Sequence, residues 1–338
     1  MIVDEIYNRV RQTVQQYELF QGGESVLVAL SGGPDSMTLL KVLADLSAEY
    51  RLELVAMHID HGLRSESAAE AELVRAWCAD FGIPCEIRRI DVHAQRQLTG
   101  ESIQEAARTL RYSVLHEAVE SFADVQGPRT WRIAVGHTAD DQAETVLYRL
   151  LRGTGPSGLV GMAPRRDLIV RPLIGVWREE VLAFCRELNL PYITDASNAS
   201  VKYVRNRIRH ELIPQIESVY NPRFRHALVR LAELLQADET VLEALAHNAF
   251  YSPELAGEKG TGWARARAAG LDALPVSIAR RVFRLMFHHA TGRMGPSFER
   301  LEAARVLARK GARGGSVIEL GGHAIAVRKG PWIEVWQQ

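Results

Sequence analysis

Cysteine is scarce in this sequence: three in 338 residues, at 78, 85 and 185, with no Cys-x-x-Cys spacing. So few thiols do not make a disulfide framework, and their spacing argues against a zinc ribbon or a cysteine-held iron–sulfur cluster. No apolar run approaches the ~18 residues of a membrane span. Met1 to Phe20 is charged throughout, where a signal peptide would need an apolar core. Neither sign of charge dominates, 41 Lys and Arg balancing 41 Asp and Glu, so no whole-chain field draws the protein to nucleic acid or membrane. What remains is an ordinary globular composition, 47% apolar and 24% charged, long enough for two domains. It reads as cytosolic and free of membranes.

The first half alternates short apolar runs with amphipathic stretches. Val26–Leu30, Leu52–Ile59, Cys85–Ile90 and Ile133–Val135 read as buried strands. Helical stretches fall near Asp35–Glu49, Ser67–Phe81, Ser102–Ser121, Ala139–Arg152 and Arg178–Leu188. This alternation predicts an α/β fold with a parallel sheet covered on both faces, whose ligands bind beyond the carboxyl ends of the strands. Gly153–Met162, with four glycines, reads as a mobile loop. Residues 217–338 are predicted as a smaller helical and α+β domain after a catalytic domain over 1–216. It would hold a long helix from Phe224, a linker at Tyr251–Gly262, helices near Ile278–Ala290 and Ser297–Lys310, and strands at Ser316–Leu320, His323–Arg328 and Trp332–Trp336. Between Trp263 and Gly315 eleven basic residues face three acids, and Lys202–Arg230 forms a second basic cluster. Two such segments suit a polyanion such as RNA; solvated arginine-rich helix faces are the plainer reading.

Ser31-Gly32-Gly33-Pro34-Asp35-Ser36 follows a predicted strand and opens a helix. Two glycines allow a tight turn, and the free N–H groups of the turn and helix start make an anion cradle. The Gly-Lys-Ser/Thr ending of a Walker loop is missing. Further motifs are His58-Ile59-Asp60-His61-Gly62-Leu63-Arg64 at a strand end, Gly136-His137-Thr138-Ala139-Asp140-Asp141-Gln142-Ala143-Glu144-Thr145 at a strand–helix junction, and Asp195-Ala196-Ser197-Asn198 followed by Arg205-Asn206-Arg207-Ile208-Arg209.

The loop resembles that of the PP-loop ATP pyrophosphatase superfamily, which implies an adenine-nucleotide α-hydrolase-like sheet with pyrophosphate held at Ser31–Ser36. The order and spacing of the other motifs are similar to the tRNA(Ile)-lysidine synthetase family over most of residues 20–220. The basic C-terminal part resembles that family's shorter form. The resemblance implies attachment of L-lysine to C2 of the wobble cytidine in the CAU anticodon of an isoleucine tRNA, through a cytidine adenylate. The reaction consumes ATP and releases AMP and pyrophosphate, with Mg²⁺ neutralising the latter. Codon reading then changes from AUG to AUA.

The residues also read on their own terms. Asp141 and Glu144, three apart on a helix, share a face and suit an ammonium group or a metal; the resemblance favours lysine, and an acidic helix start is the bland alternative. Asp35 lies inside the cradle, where a carboxylate repels phosphate unless Mg²⁺ intervenes or it accepts a proton from the attacking amine. Asp35, His137 and Asp141 are thus the candidate catalytic residues. Ser31, Gly32, Gly33, Pro34, Asp35, Ser36, His58 and Arg108 are the candidates for nucleotide contact, although Arg108 has Glu105 at pairing distance on its own helix. Arg205, Arg207, Arg209, Arg280, Arg281 and Arg284 are the candidates for RNA. No metal ligands are assigned, and association as a homodimer is left open. A PP-loop tRNA sulfurtransferase (thiolation) is the alternative reading, and it would need Cys85 and Cys185 to meet.

Overall fold

In the computed structural model, residues 1–62, 67–126, 130–194, 204–293, 295–312 and 314–338 are described. Leu63, Arg64, Asp195–Asn198 and Arg313 lie outside them. Two compact units divide the chain, Met1–Glu233 and Leu234–Gln338, and the dividing point falls inside a long helix.

The first unit is built on the parallel strands β1 (Ser25–Leu30), β2 (Glu53–Asp60), β3 (Cys85–Arg89) and β4 (Trp131–Ala134), joined by the short β5 (Arg165–Arg166) and β6 (Ile169–Val170). The strand order is β3-β2-β1-β4-β6-β5, parallel throughout except for β5 against β6. β1 is buried on both faces. Val26, Val28 and Leu30 enter one core with Met37, Leu40 and Val74, and Leu27 enters another with Met57, Leu115 and Ile133. The chain adds strands outward from β1 in one direction, then returns to place β4 on its other side. That reversal between β1 and β4 opens a crevice at their carboxyl ends, which is where the Ser31–Ser36 and Gly136–Thr145 segments emerge.

Helices α2 (Pro34–Tyr50), α3 (Ser67–Asp80), α5 (Ile103–Gln126), α6 (Ala139–Leu151) and α8 (Arg178–Glu187) fall on the expected stretches. Two longer helices of this unit were not expected, α1 (Ile2–Gln16) and α4 (Val92–Thr99). α1 buries Ile6, Val10 and Val14, spaced four apart on one face. The glycine-rich loop is pinned. It contains α7 (Pro156–Leu159), and Gln142 exchanges hydrogen bonds with the backbone of Val160 and Met162 at 2.7–3.2 Å. Arg149 donates to the carbonyls of Gly158 and Gly161 at 2.9 and 2.7 Å. The basic segment after 203 is helical but uneven. α9 (Val204–Arg207) runs through a π-helical turn, Ile208–Leu212, into α10 (Ile213–Val219).

α11 (Phe224–Phe250) carries the chain into the second unit. There a five-stranded antiparallel sheet, order β7-β8-β11-β10-β9, joins β7 (Glu258–Gly260), β8 (Trp263–Arg267), β9 (Val317–Gly321), β10 (Ala324–Lys329) and β11 (Trp332–Gln337). α12 (Ala268–Ala273), α13 (Val276–Thr291) and α14 (Phe298–Ala308) accompany it. The expected linker at 251–262 is a correction: Leu255 is buried in this unit's core, and Glu258–Gly260 pairs with β8. Among the described residues, no helix is long and apolar enough to cross a membrane.

Candidate functional site

The cradle is set by the backbone. Gly32 has φ +79°, and a Cβ there would meet Ile193 at 2.8 Å and Val74 at 3.0 Å, so both the turn and the space demand glycine. Gly33 caps α2, and Pro34 enters its first turn, where a missing N–H costs nothing. Ser36 Oγ donates to Gly33 O at 2.9 Å and accepts from Ser31 N at 3.2 Å, which closes the loop on itself. Gly136 lets the end of β4 pass beside the start of α2: a Cβ there would lie 3.1 Å from Asp35 O.

Three helix N-termini meet at this crevice, those of α2, α6 and α8. Asp141 caps α6, accepting from Thr138 N at 2.9 Å and Thr138 Oγ1 at 3.1 Å. Asp140 accepts from the backbone N of Arg178 at 2.7 Å and from Arg225 Nη1 at 2.8 Å. Arg178 Nη1 donates to Asp35 Oδ2 at 2.6 Å, whereas Asp35 Oδ1 is buried with no hydrogen-bond partner. Burial drives the Asp35 carboxyl up to about 6; Arg178 opposes this, Asp141 adds to it and Arg209 opposes it.

Asp141 and Glu144 face the same way, as their spacing predicts, but they are not vacant. Arg205 spans both, Nη2 to Asp141 Oδ1 at 3.0 Å and Nε to Glu144 Oε2 at 3.0 Å. Arg209 does likewise, Nη2 to Asp141 Oδ1 at 3.2 Å and Nε to Glu144 Oε1. Glu144 is only 2% exposed, and this burial outweighs the two guanidiniums and raises its carboxyl. Burial also acts on Asp141, but there Arg205, His137, the Thr138 N–H and Arg209 together lower it. Arg205 and Arg209, expected on an RNA surface, therefore belong to the crevice. The i, i+4 spacing that gives a basic helix face also gives a two-armed clamp on acids at i, i+3. Of the three arginines, Arg207 alone points to solvent, 64% exposed and paired with Glu211 at 3.3 Å.

His137 accepts from Arg171 Nε at 3.2 Å on its Nδ1. Burial lowers its pKa; Asp141 opposes this and the guanidiniums of Arg171, Arg205 and Arg108 add to it, so the imidazole is neutral at pH 7. His58 is buried at the end of β2 with Nδ1 unpartnered, and burial lowers its pKa too. Arg108 does not pair with Glu105, which instead accepts from Ser102 Oγ at 2.7 Å. Its guanidinium stacks on Tyr112 at 5.2 Å and has no acid partner among the described residues, free to meet an anionic ligand. Arg171, Arg178 and Arg225, and the cap role of Asp140, escaped the sequence reading because each partner comes from a remote segment.

The arginines of α13 are also engaged. Arg281, 10% exposed, pairs with Glu239, 5% exposed. Arg280 donates to Glu302 at 2.6 Å and lies over the Phe298 ring at 4.9 Å, and Arg284 is likewise partnered. Arg280 and Arg281 are held inside the second unit by ion pairs. Cys185 shares a hydrogen bond with Thr38 at 3.3 Å, and burial pushes its thiol up. Cys85 instead sits beside Cys78.

Residues 4–216 match the family model described as a PP-loop domain, and residues 267–330 match the TilS substrate binding domain. Among curated proteins, the chain is 32% identical to the tRNA(Ile)-lysidine synthase of Nostoc sp., covering 98% of each. It is 34% identical to that of Synechococcus sp., covering 96% of this chain and 93% of that one. It is also 34% identical to that of Geobacillus kaustophilus, over 89% of this chain but only 64% of the relative's length. Among solved structures, the U34-tRNA thiolase NcsA of Methanococcus maripaludis aligns at a TM-score of 0.56 and 20% identity, covering 70% of this chain and 80% of that one. That likeness is one of fold.

Proposed function

The chain belongs to the tRNA(Ile)-lysidine synthase family of ATP-using ligases, and we propose that it forms lysidine at the wobble cytidine of an isoleucine tRNA with a CAU anticodon. The cytosine O2 attacks the α-phosphate of ATP, which forms the O–P bond of a cytidine adenylate and expels pyrophosphate. The ε-amine of lysine, once deprotonated, attacks C2, and AMP departs with the C2–O bond electrons.

The observation that carries the reading is the convergence at the β1/β4 crevice of an anion cradle with an acid pair on the adjoining helix. Backbone N–H groups at Ser31–Ser36 and the start of α2 meet the pyrophosphate. Arg108, stacked and without an acid, supplies a further cation for the nucleotide. His137, kept neutral chiefly by burial and accepting from Arg171 on Nδ1, donates from Nε2 to a phosphate or ribose oxygen without adding charge. Asp141 and Glu144 receive the substrate lysine by exchanging an Arg205 or Arg209 contact for an ammonium.

Mg²⁺ fits at one point. Among the described residues no three His, Cys, Asp or Glu side chains group around a metal. Mg²⁺ is commonly held by one or two carboxylates plus substrate phosphates and water, and the unpartnered Asp35 Oδ1 is such an oxygen. When bound, the ion would supply charge neutralisation for the pyrophosphate. Asp35 otherwise takes the proton of the attacking ammonium.

This assignment predicts a split between substrates. Asp141→Asn and Glu144→Gln should each raise KM for lysine roughly 10- to 100-fold, the worth of a charged hydrogen bond, while KM for ATP moves less than about threefold. Equal effects on both would make the acids nucleotide or metal contacts instead.

Recognition of the rest of the tRNA falls to exposed cations. With Arg280, Arg281 and Arg284 engaged internally, the candidates in the second unit are exposed side chains such as Arg267, Arg309 and Lys310. Each phosphate left without its cation should lower the magnitude of the log Kd–log salt slope by about 0.7–0.9. R267E combined with K310E should therefore flatten it by about 1.4–1.8, measured by filter binding across a salt series. An unchanged slope would take tRNA contact away from these side chains.

A further inference from the structure

We propose that Arg178 is a positioning residue for Asp35: it takes one carboxylate oxygen and so fixes the direction in which the other faces the reacting groups. The inference rests on the lysidine-forming reading and adds a residue that no motif of the sequence marks.

The geometry is specific. Arg178 is the first residue of α8, and it is anchored twice, by backbone and by side chain. Its backbone N–H donates to Asp140 Oδ2 at 2.7 Å. Asp140 is itself fixed by Arg225, which lies 5.4 Å over the Trp177 ring and donates to Glu217 at 3.0 Å. The start of α8 thus cannot drift from the start of α6. From that anchored point the guanidinium reaches back to Asp35 Oδ2 at 2.6 Å, across 143 residues of chain. Both side chains are about three-quarters enclosed. α2 and α8 are further locked behind them, where Thr38 and Cys185 share a hydrogen bond at 3.3 Å.

The consequence lies in what is left over. A carboxylate at the head of α2 has two oxygens, and a free one would find the loop N–H groups intended for phosphate. With Oδ2 held by Arg178, Asp35 cannot rotate into the cradle, and Oδ1 remains buried without a partner. An unsatisfied buried oxygen is costly and marks a position kept for something that arrives with the substrates. The guanidinium brings both a positive charge and a planar fork of donors to this point. Lysine at 178 would keep that charge and one donor but lose the planar fork.

The test uses the full chain with Arg178→Ala and Arg178→Lys. If a carboxylate oxygen is misplaced by about 1 Å, turnover falls on the order of 100-fold. R178A should accordingly lose roughly 30- to 100-fold in kcat for lysidine formation. Its KM for lysine, its KM for tRNA and its equilibrium Kd for ATP should stay within about threefold of wild type. R178K should recover to within roughly fivefold of wild-type kcat. The backbone bond to Asp140 survives both substitutions, so the fold should hold, with thermal melting lowered by no more than a few degrees. Three results would overturn the proposal: wild-type kcat in R178A, a Kd for ATP that rises as much as kcat falls, or a Lys variant as impaired as the Ala variant. Absence of lysidine with the wild-type protein would instead refute the underlying reading and leave the arrangement around Asp35 to be tested through ATP binding alone.

Discussion

Asp35→Ala is expected to cut lysidine formation by about 10²–10⁴-fold, the usual worth of a positioned proton acceptor, while the protein stays folded. Loss of this side chain opens no core cavity, because its contacts are the polar ones to Arg178 and the crevice. The conservative variant sharpens the test. Burial raises the Asp35 carboxyl from about 3.8 to about 6, so between these values the native state binds more protons than the unfolded chain. Stability contributed by this group is therefore full below about pH 4 and is lost as pH rises through about 6. On the order of 2 kcal/mol is at stake. Asp35→Asn, which cannot ionise, should melt progressively higher than wild type as pH rises from 4 to 7, and be inactive. A site that costs stability and returns activity is the signature of a functional carboxylate. Near-normal turnover in D35A would remove the residue from the mechanism.

Arg281→Ala should destabilise the second unit by about 3–5 kcal/mol, because Glu239, 5% exposed, would be left as an unpaired buried charge. Replacing both partners by apolar residues, R281M with E239L, should recover most of that loss, since the desolvation of both charges disappears together. Chemical denaturation of the single and double variants measures it. A cost under about 1 kcal/mol in R281A would mean that the pair is effectively solvated. Charge reversal on α13 would for the same reason act on stability first. Substituting Arg280, Arg281 and Arg284 together would disturb the packing of the second unit before it reported on tRNA.

The sequence made the sheet legible because its central strands are continuous apolar runs with glycine or charge at their ends. β1 to β4 and the five helices between and after them fall within a few residues of expectation, apart from the last turn of α5. α1 was missed although Ile6, Val10 and Val14 carry a helical period, because polar residues separate them and nothing local shows that a surface awaits that face. The hairpin of β7 and β8 was missed because Gly260-Thr261-Gly262 reads as loop. Yet Trp263-Ala264-Arg265-Ala266-Arg267 alternates as a half-buried strand should.

At the site, residue types and spacings located the cradle and the acid pair, since both are local patterns. Partners were not local. Arg205 and Arg209 lie more than 60 residues from the acids they clamp, and Arg178 lies 143 from Asp35. A basic run looks the same in sequence whether it meets solvent, RNA or a carboxylate pair. Only the fold decides.

The identity of the product decides whether this protein forms lysidine. The full chain, incubated with ATP, Mg²⁺, labelled L-lysine and a transcript of an isoleucine tRNA bearing CAU, should yield one nucleoside after digestion that replaces the wobble cytidine. Its mass should equal cytidine plus lysine less one water, and one AMP and one pyrophosphate should accumulate per product. Omitting lysine should abolish it, and a methionine tRNA with the same anticodon measures how strictly the body of the tRNA is read. An unmodified wobble cytidine, or a cytidine that gains sulfur when a sulfur donor is supplied, would refute lysidine formation by this protein.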